Sequence, residues 1–365
     1  MTKITPYMDQ ITVARMQAER HLDRLQNAEH LYRLVPLGQR LLRYARLLER
    51  NDLYLAITTD PNNRFPALYL IRKDHSRWAN IRFVYEGRFR RSTDICKFMR
   101  HRPAKKIIER IGVLFHNAYL DRPQTQRDYF RANKRRPPYI YALGNRGAAL
   151  LAEVDGIEMP RIDWTDKNRT VSRPYIHHRL LISDVLTSFK MAIRDRTDVR
   201  WIEPAEILRR APVATQRLPN PWKWKARVPA PTGGLMEIAN VPDAVFGLDF
   251  VENRVRYYFM LEADRASMPV VRATLSRTSM YGKFLTYFHA HHAGFHMRTY
   301  HIQSYRVLTV TTSPERAANM VEVIKTKLRP SNMFLFTDAT ALRNAGDVLA
   351  HGWLSGKGEV VRLTD

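Results

Sequence analysis

VPDAVFGLDF (residues 241–250) and YYFMLEADR (residues 257–265) are two apolar runs that both deliver carboxylates, and their reading decides the fold of the second half of the chain. Each is short and rich in aromatic and β-branched residues, as a buried strand is. Asp243 stands at the start of the first run, behind Pro242, and Glu262 and Asp264 stand at the end of the second. Side chains alternate faces along a strand, so Glu262 and Asp264 share one face. Burying unpaired carboxylates is costly, so an acidic cluster at the end of an apolar strand calls for a metal ion, a cationic partner or an edge open to water. In a chain this basic, the metal alternative points to phosphodiester chemistry, with Asp243, Glu262 and Asp264 as candidate ligands of Mg2+ or Mn2+.

The charge balance agrees. The 365 residues carry 60 Lys+Arg against 35 Asp+Glu, a formal net charge of +25, which suits a partner that is a polyanion, either nucleic acid or an anionic membrane surface. No apolar run is long enough to span a bilayer, and the opening MTKITPYMDQ lacks the apolar segment of a signal peptide, so the expectation is a soluble, cytoplasmic protein. The single cysteine, Cys96, excludes an intrachain disulfide and a Cys-rich zinc site, and its neighbours Ile95 and Phe98 place it toward a core. No GxxxxGK[ST] or GxGxxG motif is present, which argues against nucleotide hydrolysis.

Working outward, four blocks are expected. Residues 1–75 read as a helical extension, with helices near 6–27 and 29–49, followed by two short strands, LYLAIT and ALYLIR; a solvated extension or a dimerisation arm fits it. Residues 76–156 read as a winged helix-turn-helix: three helices, then the strands AYLDR and PYIYAL round a wing, then a helix from GNRGAALLAE. At ~100° per residue the third helix gathers Ile107, Ile108, Ile111, Leu114 and Phe115 on one side and Arg102, Lys105, Lys106 and Arg110 on the other. Residues 88–110 hold nine Lys/Arg, Arg100 among them, against Asp94 and Glu109. The wing adds Arg122, Arg127, Arg131, Lys134, Arg135 and Arg136 against Asp121 and Asp128, so double-stranded DNA is the expected partner of helix and wing together.

Residues 157–172 read as a polar linker and 173–365 as an α/β domain whose strands alternate with helices, which makes the chain α+β as a whole. Within it, RLPNPWKWKARVPAPTGG reads as an irregular insertion whose Trp222 and Trp224, alternating with Lys223 and Lys225, suit either stacking on unpaired bases or packing inward. His177, His178 and Asp184 are poorly spaced for a metal on one helix face, and the histidines of HAHH (residues 289–292) suit a helix C-terminus.

A helix, strands carrying Asp and Glu-x-Asp, then a helix bearing a lysine resemble the PD-(D/E)XK restriction-endonuclease-like fold. Pro242 and Asp243 supply the PD and Glu262-Ala263-Asp264 the second half-motif, while the usual lysine position is Asp264, leaving Lys283 of SMYGKFLTYF as the candidate. The resemblance implies carboxylates that hold a divalent cation and a lysine that orients the nucleophile. Over about residues 90–330 the chain also resembles the plasmid replication-relaxation family of bacteria. YIYALGNRGAALL, HHRLLISDVLTSF, PDAVF, FMLEADRASMPVVRATLSRTSMYGKFLTYF and YRVLTVTTSPER carry that resemblance. Ala266 and Ser267 replace the family's Gly and Thr after Glu-x-Asp-Arg, which weakens the case for a tight turn there. The family implies DNA binding in plasmid or mobile-element replication, relaxation or mobilisation, with other replication or mobilisation proteins, or a second copy of the chain, as partners. Metal-dependent DNA nicking by the second domain is one version of that function. A winged-helix transcriptional regulator with an inactive nuclease-like domain is the alternative.

Overall fold

The computed structural model describes residues 76–99, 103–126 and 137–363 apart from 158, 161, 231–232 and 276, together with four strands nearer the N-terminus. The chain divides into two compact units, Met1–Leu180 and Leu181–Asp365.

In the first unit the N-terminal strands form two antiparallel pairs, β1 (Leu22–Arg24) with β2 (Tyr32–Leu34) and β3 (Leu53–Thr59) with β4 (Pro66–Arg72). The second pair is the one expected from LYLAIT and ALYLIR. The first pair lies inside stretches expected to be helical, and there strand pairing overrides the helical spacing of the leucines.

Three helices follow, α1 (Ser76–Gly87), α2 (Ser92–Phe98) and α3 (Ala104–His116). They stand on a three-stranded antiparallel sheet in which β7 (Ile140–Leu143) lies between β5 (Phe89–Arg91) and β6 (Leu120–Asp121). Ile81 and Val84 of α1, Ile95 of α2, Ile107, Ile111 and Leu114 of α3 and Tyr141 and Leu143 of β7 form one buried cluster. The helix α4 (Asn145–Asp155) starts hard against the residues that lead into β6: a Cβ on Gly147 would lie 2.1 Å from the Tyr119 carbonyl oxygen, and one on Gly144 2.3 Å from that of Ala118. Only glycine permits that approach, which explains the GNRG of the sequence. Residues 157–172 carry a helix of their own, α5 (Trp164–Arg169), capped by Asp163. Trp164 joins the buried cluster and Asn168 donates to Asp121 and to the Leu143 carbonyl.

The helix α6 (Arg173–Ile193) contains the boundary between the units. The second unit is a seven-stranded mixed sheet. Its members are β8 (Val199–Ile202), β11 (Ala244–Phe250), β12 (Val255–Ala263), β13 (Arg306–Thr311), β14 (Phe334–Asp338), β15 (Trp353–Ser355) and β16 (Val360–Val361). They stand in the order β16-β15-β14-β13-β12-β11-β8. β12 is antiparallel to β11 and parallel to β13. Both faces of the sheet are covered, so β12 is apolar on both sides. Phe259, Leu261 and Ala263 face a core that includes Val185 and Phe189 of α6 and Leu342 of the short helix Ala339–Asn344. Met260 faces the other core, built by four helices and a β-hairpin. The helices are α7 (Pro204–Arg210), α9 (Met280–His292), α10 (Phe295–Tyr300) and α11 (Pro314–Lys327), with the short helix α8 (Val213–Gln216) following α7. The hairpin pairs β9 (Trp224–Pro229) with β10 (Leu235–Asn240) and replaces the irregular insertion expected there. Along β9 the side chains alternate, Trp224, Ala226 and Val228 buried and Lys225, Arg227 and Pro229 exposed, a period of two that the flanking prolines and glycines conceal in the sequence.

Candidate functional site

The acidic strand ends do converge on one layer of the second unit. Alternation along β12 carries Glu262 and Asp264 to the face of Met260, and the register Glu262↔Thr309 sets Thr309 and Thr311 of β13 beside them. Opposite stands α9. Its N-cap Ser279 accepts the Gly282 N–H at 3.1 Å, which fixes where the helix begins. Lys283 and Tyr287, four residues apart, therefore share one face. The Lys283 ammonium donates to Glu262 Oε2, and the Tyr287 hydroxyl donates to Glu262 Oε1 at 2.6 Å.

Asp243 closes the β11–β12 ladder. Its N–H donates to the Leu261 carbonyl at 2.9 Å and its Oδ2 accepts the Ala263 N–H at 2.8 Å, so the carboxylate takes up a backbone donor next to Glu262. Asp264 turns to a different cation. Arg316, in the first turn of α11, grips it through Nε at 2.5 Å and Nη2 at 3.0 Å, and the Thr311 hydroxyl donates to Oδ2 at 2.6 Å. The same guanidinium donates to the Met268 carbonyl, tying down the turn after the strand. Ala266 in that turn has φ 57°, the left-handed conformation that glycine adopts without strain. A tight turn exists here although the glycine is missing.

Burial sets the protonation behaviour. Glu262 is 1% exposed, and desolvation pushes its carboxyl up to about 7, with Asp243 adding to the rise and Lys283 and Tyr287 opposing it. Burial works to lower Lys283, but the attraction of Glu262 and then Asp243 outweighs it and the ammonium is held above its ordinary value. Burial, and then the neighbouring Glu262, raise the Tyr287 phenol well above its own, so it acts here as a donor.

In this arrangement each of the three expected ligands of Mg2+ or Mn2+ already has a partner within the protein. Glu262 is held by Lys283 and Tyr287, Asp264 by Arg316 and Thr311, and Asp243 by the backbone. Among the described residues no three His, Cys, Asp or Glu side chains are grouped to hold a metal ion, His177, His178 and Asp184 included. Tyr287, Thr311 and Arg316 went unread in the sequence. The signal for Tyr287 was its spacing of four from Lys283; Arg316 lies more than fifty residues from its partner and gave none.

In the first unit α3 packs Ile107, Ile111 and Leu114 inward and leaves Lys105 and Lys106 exposed, with Lys106 3.2 Å from Glu109. Ile108, expected on the packing face, is 40% exposed, because the buried arc is the narrower 107–111–114 stripe. Arg110 is half-buried and engaged. Arg100, Arg102, Arg127, Arg131, Lys134, Arg135 and Arg136 lie outside the described residues. Not every cation counted from the sequence faces outward. Arg90 is buried over the Phe83 ring and donates to its carbonyl, and the Arg122 guanidinium sits 4.2 Å from Phe115, 4.3 Å from Tyr139 and 4.9 Å from Tyr141, donating to the Tyr141 hydroxyl.

A family model described as replication-relaxation matches residues 81–299. The chain belongs to the replication-relaxation family. No curated protein and no solved structure matches it. The family match begins within α1 and takes in Asp243, Glu262, Asp264 and Lys283 but ends before Thr311 and Arg316. No described helix of this replication-relaxation protein is long and apolar enough to cross a membrane.

Proposed function

We propose that the chain is a DNA-binding protein acting in plasmid or mobile-element replication, relaxation or mobilisation. In this reading the first unit is a winged helix and the second a restriction-endonuclease-like fold. The observation that carries it is α3, whose Ile107, Ile111 and Leu114 are buried while Lys105 and Lys106 face outward, followed by two sheet strands whose connection carries the basic run 127–136. A helix so presented can enter a groove while a basic connection contacts the backbone. Family membership supports the replication setting.

Metal-dependent nicking is a second reading, favoured by the pairing of Lys283 with Glu262 beside Asp243. One experiment tests both: the purified protein is incubated with supercoiled plasmid, with and without magnesium or manganese, and run on a gel. Retarded plasmid supports the DNA-binding reading, and its absence overturns it. Nicked circles that require the metal and vanish in Lys283→Met support the second reading; a wholly supercoiled product with metal present refutes it. Replacing Lys105 and Lys106 with Gln should flatten the salt dependence of binding by roughly 0.9 in log–log slope for each phosphate no longer neutralised.

A further inference from the structure

The second unit contains two long stretches without a single Asp or Glu. Residues 207–236 hold six Lys/Arg, and residues 265–314 hold six more together with five histidines. Distant in sequence, they build one layer. Ile207, Trp224 and Val228 from the first stretch and Phe284, Tyr287 and Tyr300 from the second lie in the same buried cluster, on the Glu262 face of the sheet. The Tyr300 hydroxyl donates to the Pro221 carbonyl at 2.8 Å, and Trp222 packs on the Tyr300 ring at 4.7 Å. Met268, Val270 and Leu275 of the loop before α9 pack against that cluster too.

Apart from the exposed Val213, Leu218, Leu235, Val271 and Met297, the large apolar side chains of the two stretches are wholly or partly buried, and apart from Lys283, which turns inward to Glu262, several of the cations face outward. Arg217, Lys223, Arg227 and Arg277 are exposed, and none of them enters an ion pair among the described residues. In and just after α6, which covers the other face of the sheet, the charges are mixed: Arg194 and Arg196 stand with Asp195 and Asp198 and pair with them, and Lys190 reaches Glu203 at the start of α7. On the Glu262 face the acidic side chains outside the site lie on flanking parts of the layer, Glu206 of α7, Glu237 of β10 and Glu315 and Glu322 of α11, so the basic patch is confined to the two stretches themselves. Cations gathered without counter-charges repel one another, and a polyanion laid across them relieves that repulsion.

We propose that this layer is a second DNA-backbone contact surface, separate from α3 of the first unit. The inference rests on the DNA-binding reading above and adds where the second unit takes hold of the phosphates. Duplex backbone is the occupant that the unpaired cations and membership of the replication-relaxation family argue for. The two tryptophans are turned inward, Trp224 being 5% exposed and Trp222 stacked on Tyr300, but Val213, Leu218, Leu235, Val271 and Met297 are exposed among the cations, so anionic vesicles are the competing occupant in the test.

The test uses the full chain and a short DNA duplex, with affinity measured by fluorescence anisotropy across a salt series. Lys223→Gln, Arg227→Gln and Arg277→Gln together should make the slope shallower by roughly 0.9 for each phosphate that the layer ceases to neutralise. The charge-preserving set Lys223→Arg, Arg227→Lys and Arg277→Lys should keep the wild-type slope, and unchanged melting of both variants shows that folding is intact. If the Gln variant keeps the wild-type slope while Lys105→Gln with Lys106→Gln flattens it, the layer inference falls and the DNA-binding reading stands. If the wild type binds phosphatidylserine vesicles through these three residues and binds no duplex, both fall.

Discussion

Replacing Lys283 with Met should cost little stability in mild acid and progressively more as the pH rises. Glu262, its partner, is 1% exposed and has its carboxyl raised to about 7. Between the ordinary glutamate value of about 4.3 and about 7 the folded wild type keeps a proton that the unfolded chain has lost, so stability falls as pH rises through that window and levels off above it. Lys283 is what stops the fall, because its ammonium holds the ionised carboxylate. With Met in its place the carboxyl rises further and the window extends upward.

The expected cost therefore grows by about 1.4 kcal/mol for each pH unit above about 7. It should saturate near the roughly 3–5 kcal/mol that removing one partner of a buried ion pair costs. At about pH 6 Glu262 is neutral in both proteins, and the unbranched Met fills the volume of the lysine stem, so the difference should stay within about 1 kcal/mol. The assay is denaturant unfolding of the full chain by tryptophan fluorescence at several pH values. A cost that is the same at all of them, or largest in acid, refutes the reasoning, since it would mean that Glu262 titrates like an exposed carboxylate.

Three further outcomes are expected. Ala266→Gly should stabilise the protein by about 0.5–1 kcal/mol in thermal or chemical unfolding, because φ 57° is strained for alanine by more than glycine loses in backbone entropy; a loss of stability would count against the left-handed turn. His291 and His296 stack at 4.4 Å, and burial and then mutual repulsion hold His291 down at about 4. A depressed histidine protonates more readily in the unfolded chain, so this pair should cost stability as pH falls from about 6.5 toward about 4. His291→Gln should flatten that acid limb, and an unchanged limb assigns it elsewhere. Arg122→Gln should lower the melting temperature, because the guanidinium packs against three rings, while leaving the salt slope of DNA binding unchanged; a shallower slope would return Arg122 to the DNA face.

Much of the second unit was legible because its elements carry strong periodic signals. The alternation of strands and helices expected over residues 173–365 is met by the strand Val199–Ile202, the helix Pro314–Lys327 and the strand Phe334–Asp338. The hairpin Trp224–Asn240 was missed because Pro219, Pro221, Pro229, Pro231, Gly233 and Gly234 lie in or beside a clear two-residue alternation and read as loop. In the site, local rules worked where local rules apply. Glu262 and Asp264 do share a face, and Lys283 of the next helix does reach the first of them. What no local rule supplies is the choice of counter-ion. Asp264 is claimed by Arg316 from beyond two intervening helices and a strand.

That choice changes what the acidic cluster is. Three carboxylates read along a sequence suggest one shared cation, because mutual repulsion must be relieved somewhere. The fold relieves it by partition: Lys283 takes Glu262, Arg316 takes Asp264, and the Ala263 N–H takes Asp243. Each of these interactions is also structural, since one fixes α9 on β12, one pins the turn that starts the loop before α9, and one closes the strand ladder. A divalent ion would have to displace Lys283 or Arg316 to gain a second carboxylate, and would loosen the helix or the turn in doing so. Any metal binding at this site would therefore be coupled to movement of α9 or of the 265–279 loop, and that loop carries Arg265, Arg272 and Arg277 of the basic layer. If DNA lies on that layer as proposed and an ion is drawn to the carboxylates, both act on the 265–279 loop, so each should alter the affinity for the other by the same factor.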